Sequence, residues 1–349
     1  MLLDNTINII STHASSKVDA GAGPIKVFYN LVKGLNKIGY PYTLNRSLTS
    51  TRRLWVHNDL RALTELPPHI LKLLGPNLVV LPRDLPVSYP FPCSFYLHHS
   101  RWAVDVWTQE GFRQCPLRVW PVGIDTEVFT ARPAKKSDEV LLYYKYRHLK
   151  ELTHVRKKLS AANISYIVMT YGQYGSEADF IKQVQSCSFI IWLGRQESQG
   201  IALQECLAMN VPILVIDAPT LFDVYPLPPD MFPERLRAFR TTAAPYFDDR
   251  CGHVIQSIDD LDHGIEIMRE RFNEFSPREF VLEKLSLEKQ AREFVGLFDE
   301  LERLHGRGEV DWRDFDDRPY IPGWKAWFRI RLARRAEGRL RRFLGLIRK

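Results

Sequence analysis

The sequence predicts an α/β protein built from two parallel-sheet domains that face a common cleft, followed by a basic helical tail. Three observations carry this reading. Short apolar runs alternate with helix-patterned stretches along the chain. The apolar runs are continuous rather than alternating, as in strands buried on both faces. A segment with three prolines and then a charged polar stretch, between about 115 and 139, divides the alternation into two blocks. The length of 349 residues suits two domains, at roughly 100–200 residues each.

In the first block, TINIIS (6–11) reads as a strand and PIKVFYNLVKGLNKIG (24–39) as a helix. Ile25, Phe28, Leu31, Val32, Leu35 and Ile38 hold one face of that helix, Pro24 suits its first position and Gly39 its end. LWVH (54–57) follows as a strand, then a helix near PPHILKLLG (67–75), strands NLVVL (77–81) and SFYL (94–97), and a helix from about 101 to 111. The second block opens with the strand EVLLYY (139–144) and a helix over 148–162. It continues with the strand ISYIVM (164–169), a helix near 176–186, the strand SFIIWL (188–193), a helix near 199–209 and the strand ILVI (213–216). Residues 217–258 are irregular, and 276–304 read as one long amphipathic helix capped by Ser276 with Pro277 at its first position. The expected domains are two Rossmann-like blocks, 1–132 and 133–305, with a basic aromatic tail over 306–349. In such sheets ligands sit at the carboxyl ends of the strands, beside helix N-termini.

Composition narrows the class. Hydrophobic residues make up 45% and charged residues 26%, as in ordinary soluble globular proteins. Cys93, Cys115, Cys187, Cys206 and Cys251 contain no CxxC pair, which argues against a zinc ribbon or redox motif and fits a reducing cytosol. The start MLLDNTINIISTHASS lacks a basic n-region and does not read as a signal peptide, and no apolar run is long enough to span a membrane. The net charge of +7 is concentrated in one place: ten basic residues against Glu337 alone put +9 into Pro319–Lys349 and leave the rest of the chain at −2. That distribution argues against a nucleic-acid-binding core. The expected localisation is cytoplasmic. The tail GWKAWFRIRLARRAEGRLRRFLGLIRK fits either of two arrangements: a basic amphipathic helix on an anionic membrane surface, or a helix packed on the first domain with a solvated Arg face.

The sharpest chemical feature is GRQESQGIALQECLAMNVPILVI (194–216). A strand ends, a loop turns and a helix begins near Ser198–Gly200. Unpaired backbone N–H groups and the helix dipole favour an anion such as phosphate there. Gly200 permits close approach of a ligand to the backbone. Glu197 in the loop can accept bonds from sugar hydroxyls, and Glu205, inside the helix, can accept two from a diol such as ribose. Two solvated surface glutamates are the alternative, and the pair alone does not exclude it.

The string from Glu197 to Val215 resembles the E-x7-E segment of the retaining GT-B fold glycosyltransferases, a family that includes sucrose synthases, bacterial α-mannosyltransferases and lipopolysaccharide glucosyltransferases. Gln199 stands at a commonly aromatic position and Asn210 at a common glycine. WPVGIDTEVF (120–129) resembles the family's Pro-x-Gly-x-Asp-x-x-x-Phe linker through Pro121, Gly123, Asp125 and Phe129, a structural element. LLYYKYRHLKEL (141–152) resembles the segment in which the family sets two cations against the diphosphate, here Lys145 and Lys150 with Arg147 between them. The resemblance implies that Glu197 lies near the transferred sugar, that Ser198, Gln199, Gly200 and Ile201 lie near sugar or phosphate, and that Glu205 binds ribose. Fixed cations would then stabilise the departing diphosphate without a metal. The resemblance implies a nucleoside-diphosphate sugar as donor substrate, and no cofactor is expected. The acceptor is a glycan, lipid-linked or protein hydroxyl.

In the first block, Gly21 and Gly23 lie in the loop after the first strand, where phosphate or acceptor can approach the backbone. His98 and His99 end a strand and are further catalytic candidates. The acidic triplets DLD (260–262) and DFD (314–316) follow no strand of an α/β block and read as ordinary acidic segments. A glycosyltransferase is therefore the main expectation. A sugar-nucleotide epimerase of the same architecture and a non-catalytic scaffold anchored by its tail are the alternatives.

Overall fold

The computed structural model describes residues 5–15, 23–132, 138–306 and 318–325. The chain forms two compact units, Met1–Gly123 with Leu287–Lys349, and Ile124–Ser286. This partition differs from the expected boundaries at 132/133 and 305/306. The chain changes unit inside the Pro-x-Gly-x-Asp stretch, and its last described long helix belongs to the first unit.

The first unit holds a six-stranded parallel sheet. Its strands are β1 (Ile7–Ser11), β2 (Tyr42–Leu44), β3 (Arg53–His57), β4 (Leu71–Leu74), β5 (Ser94–His98) and β6 (Leu117–Val119), in the order β2-β1-β3-β4-β5-β6. Helix α1 (Gly23–Lys37) buries Phe28, Leu31 and Leu35 of the expected face together with Val27, while Ile25, Val32 and Ile38 are half-buried. Helix α2 (Arg101–Gln109) follows β5.

Two expectations fail here. The stretch near PPHILKLLG is strand β4, not a helix. All four of its residues are buried, and a short apolar run carries no period that separates strand from helix. Lys72 is itself buried, its ammonium donating to the carbonyls of Pro67, Pro68 and Ile70 at 2.7, 3.3 and 2.5 Å. NLVVL (77–81) is not a strand: the Gly75–Pro76 bond is cis and Asn77 has a φ of 67°, so the chain turns where it would have to extend. The three-residue strands β2 and β6 carry too little pattern to be read in advance.

The second unit is a five-stranded parallel sheet, β11-β10-β9-β7-β8, formed by β7 (Val140–Lys145), β8 (Tyr166–Thr170), β9 (Ile190–Gly194), β10 (Ile213–Ile216) and β11 (Gly252–Ile255). Helices α3 (Leu149–Ala161), α4 (Glu177–Ser186), α5 (Ile201–Ala208), α6 (Leu261–Glu270) and α7 (Pro277–Leu285) cover both faces. Leu141, Tyr143, Ile190, Trp192, Ile213 and Val215 point to one core with α4, α5 and α7. Val140, Leu142, Ile191, Leu193, Leu214 and Ile216 point to the other with α3 and α6. This two-sided burial is what continuous apolar strands foretell.

The single helix expected over 276–304 is two, α7 and α8 (Leu287–His305), broken at the extended Ser286. Side chains of α8 are tied to the first unit. The buried Arg53 of β3 donates to Asp299 at 2.8 Å and Glu302 at 3.1 Å, Arg118 pairs with Glu300 at 2.6 Å, and Phe294 packs against Trp55 and Trp120. Linker Asp125 accepts from the N–H groups of Glu127 and Val128, and Phe129 is buried in the second unit's core, as a structural motif requires.

The start of the tail lies along the first unit. Ser47 N–H donates to Arg318 O and Tyr320 N–H to Asn45 O, while Ile321 and Trp324 stay exposed. The membrane or packing role expected for the tail falls mostly on 326–349, outside the described residues. No described helix is long and apolar enough to cross a membrane.

Candidate functional site

In the second unit β7 lies between β8 and β9, so the connection leaving β7 runs to one side of the sheet and the one leaving β8 crosses to the other. The carboxyl ends of β7 and β9 form the switch point, where open α/β sheets bind ligands. Lys145 ends β7 and stands in register with Gly194, which ends β9.

The loop after β9 brings Glu197 to Lys145. Lys145 Nζ and Glu197 Oε1 are 2.5 Å apart, with only 11% and 12% of the two side chains exposed. The Lys145 ammonium also lies 4.5 Å from the centre of the Tyr171 ring. Burial pushes the Lys145 pKa below its ordinary value; Glu197 opposes this, while Arg195 adds to it. Two candidates 52 positions apart in sequence thus form one buried ion pair.

Glu197 is fixed through its backbone, whose N–H donates to Thr242 O. The strand-like end at Asp217 holds that partner segment, its carboxylate accepting from Thr242 Oγ1 and the N–H groups of Ala218 and Ala243. Gly200 then caps α5 with a φ of 79°, a left-handed conformation natural to glycine. Ile201 is the first helical residue. Ser198 is exposed, and buried Gln199 exchanges hydrogen bonds with Gln204: its amide donates to Gln204 Oε1, and the Gln204 amide donates to Gln199 O. Glu205 is 2% exposed, inside α5. The solvated-surface alternative therefore fails for both acids: Glu197 is paired and Glu205 is buried.

The cations divide. Arg147, expected at the phosphates, is committed to protein acceptors. It donates to Glu151 through Nε and Nη2, and through Nη1 to the carbonyls of Gly194, Ile216 and Asp217. It clamps the ends of β9 and β10 to the start of α3, which makes it a positioning residue. Lys150 is exposed in the first turn of α3, behind a capping box in which His148 accepts from the Lys150 N–H and Glu151 from the His148 N–H.

The remaining candidates lie in the first unit. His98 ends β5 and packs edge-on against Trp107, with ring centroids 4.4 Å apart. Burial, with neighbouring His99, lowers the His98 pKa to about 3. His99, whose Nε2 lies 3.2 Å from Asn77 Nδ2, falls to about 4, mainly through burial. Both imidazoles are buried in the first unit and neutral near pH 7. Gly23 is the first residue of α1, not a loop glycine, and Gly21 lies outside the described residues. The DLD triplet opens α6, with Asp262 paired to Lys158 at 2.7 Å; DFD lies outside the described residues. Sequence reasoning missed Arg195, Tyr171 and the 241–244 segment.

No family model and no curated protein matches the sequence. Solved structures do. HepE from Anabaena, in complex with UDP-glucose, aligns over 84% of this chain and 99% of its own, at 9% identity and a TM-score of 0.52. Sucrose-phosphate synthase from Thermosynechococcus elongatus aligns over 86% and 100%, at 10% identity and a TM-score of 0.51. Such low identities speak to architecture alone. With its six-stranded and five-stranded parallel sheets, the chain has the GT-B fold of those neighbours.

Proposed function

We propose that this chain transfers a sugar from a nucleoside-diphosphate sugar to an acceptor hydroxyl, using the second unit as its donor side. The buried Lys145–Glu197 pair at the switch point, eight positions ahead of buried Glu205, carries the reading. In transfer, the bond from the anomeric carbon to the diphosphate breaks, a bond to the acceptor oxygen forms, and the acceptor's hydroxyl proton is released with the nucleoside diphosphate. The leaving diphosphate gains negative charge, and Lys145 and Lys150 supply the cations that stabilise it in this reading. Glu205 accepts from the ribose hydroxyls, and Glu197 with the Gly200 N–H positions the sugar. The fold shared with a UDP-glucose complex agrees with this donor class.

Retention of configuration, metal independence and an acceptor in surface-glycan or glycolipid synthesis belong to the same proposal, on the resemblance of the E-x7-E segment. Attachment of the basic tail to an anionic membrane would suit a lipid-linked acceptor. A thermal-shift screen with UDP, GDP, ADP and their sugars tests the donor reading. Ligand at 100 times its Kd adds roughly 2.7 kcal/mol. One base should win clearly; if none stabilises the protein, the proposal fails. Turnover of the sugar nucleotide without any acceptor would point instead to an epimerase.

A further inference from the structure

Beneath the Lys145–Glu197 pair lies an aromatic stack that no step above uses. Tyr143 sits two residues before Lys145 on the same face of β7, and its ring stacks on Trp192 of β9, centroids 3.9 Å apart and planes within 6°. Both side chains are 1% exposed. Tyr143 Oη and Trp192 Nε1 are both buried and have no hydrogen-bond partner among the described residues. Two neighbouring buried donors left without acceptors are unusual in a core.

Their position explains them. The Trp192 indole reaches the carboxyl end of β9: a Cβ added at Gly194 would fall 2.4 Å from Nε1, so the glycine makes room for it. Gly194 is the register partner of Lys145, which places the indole N–H beside the ion pair's strand end. Tyr143 is under the same influence: burial first, and then the charge of Glu197, hold its phenol pKa well above the usual range, so it stays an O–H donor.

We infer that Tyr143 and Trp192 are standby donors for the Glu197 carboxylate, engaged when Lys145 turns to a diphosphate. This rests on the reading of Lys145 as the diphosphate's cation. A buried carboxylate that gives up its ammonium needs hydrogen bonds to remain ionised, and these two groups are already desolvated and within the same core layer. They are positioning residues: they hold Glu197 charged and in place while the cation serves the leaving group.

The test is a double-mutant cycle on thermal unfolding without nucleotide, so that it answers whether or not the donor reading stands. Lys145→Met mimics withdrawal of the ammonium. In the wild type, Tyr143→Phe should leave the melting temperature unchanged or raise it, because it removes an unsatisfied hydroxyl. In Lys145→Met, the same change should lower it by several degrees. The pH profile adds a readout that simple packing would not move. A buried carboxylate without donors is costlier to keep charged, so acidification from pH 8 to 5 should rescue the double variant more than the single one. Trp192→Phe opens a cavity and should lower the melting temperature in both backgrounds, with the larger loss in Lys145→Met. If Lys145→Met does not fold, Lys145→Gln gives the same comparison. Equal effects of Tyr143→Phe in both backgrounds, with identical pH profiles, would overturn the inference. Failure of every nucleotide to bind the wild type would instead remove the donor reading and leave the cycle's result standing.

Discussion

Glu197→Gln isolates the ion pair at the end of β7. The amide keeps the shape of the carboxylate and removes its charge, leaving the buried Lys145 ammonium near Arg195. Removing one member of a buried pair costs about 3–5 kcal/mol. Solvent screens little of this, since both side chains are nearly nine-tenths buried. Each kcal/mol moves the midpoint of a domain this size by roughly 2–4 °C, so the variant should melt on the order of 10 °C lower near pH 7. The loss should depend on pH with a definite sign. The folded pKa of Lys145 already lies below the ordinary 10.5, and it falls further without Glu197. Between the folded and unfolded values, the unfolded chain holds a proton that the folded chain has shed, so stability rises with pH across that window. The deficit should be full below the folded value and shrink as pH approaches 10. Calorimetric melts from pH 6 to 10 measure both effects. A loss below about 2 °C, or one that stays flat with pH, would refute the view of a desolvated pair.

Arg147→Ala should destabilise the second unit by about 3 kcal/mol, since it leaves three buried carbonyls without their donor and removes the partner of Glu151, and Arg147→Lys should restore little of it because an ammonium cannot reproduce the fork; chemical denaturation of both variants decides this. Lys150→Ala should change stability by less than about 0.5 kcal/mol while weakening nucleotide binding roughly tenfold, because the side chain is exposed; titration calorimetry beside a melt separates the two effects. Arg53→Met should loosen α8 from β3 and cost about 3 kcal/mol, read as faster amide exchange across 287–305. Activity retained from pH 6 to 8 in His98→Gln and His99→Asn, with lowered melting temperatures, would confirm packing roles; abolished turnover in a folded variant would make that histidine catalytic.

The second unit was legible because its strands are short apolar runs and β7, β8 and β9 are each followed by a capped or glycine-led helix. Every element expected between 139 and 216 is present within about two residues. The first unit misled where burial hides period. HILKLLG carries a lysine that looks solvent-facing but satisfies itself on three carbonyls, and NLVVL is apolar in composition but turned by its backbone. The break at Ser286 was invisible because both halves of 276–304 are amphipathic; the ion pairs of Arg53 and Arg118 and the packing of Phe294 on Trp55 and Trp120 show where the second half belongs. In the site, Glu197, Glu205 and Lys145 could be named from spacing and resemblance, but not the pairing of the first and third. Arg147 looked like a phosphate ligand because its acceptors, Gly194, Ile216 and Asp217, come from distant segments that converge only in the folded sheet.

The central claim is that Glu205 and the Lys145–Glu197 pair form one donor site. Titration calorimetry of the stabilising nucleoside diphosphate against wild type, Glu205→Gln and Lys145→Met tests it most directly. Hydrogen bonds to a charged group are worth about 1.5–3 kcal/mol, so each variant should bind roughly 10–100-fold more weakly while remaining folded. Wild-type affinity in both folded variants would contradict the account.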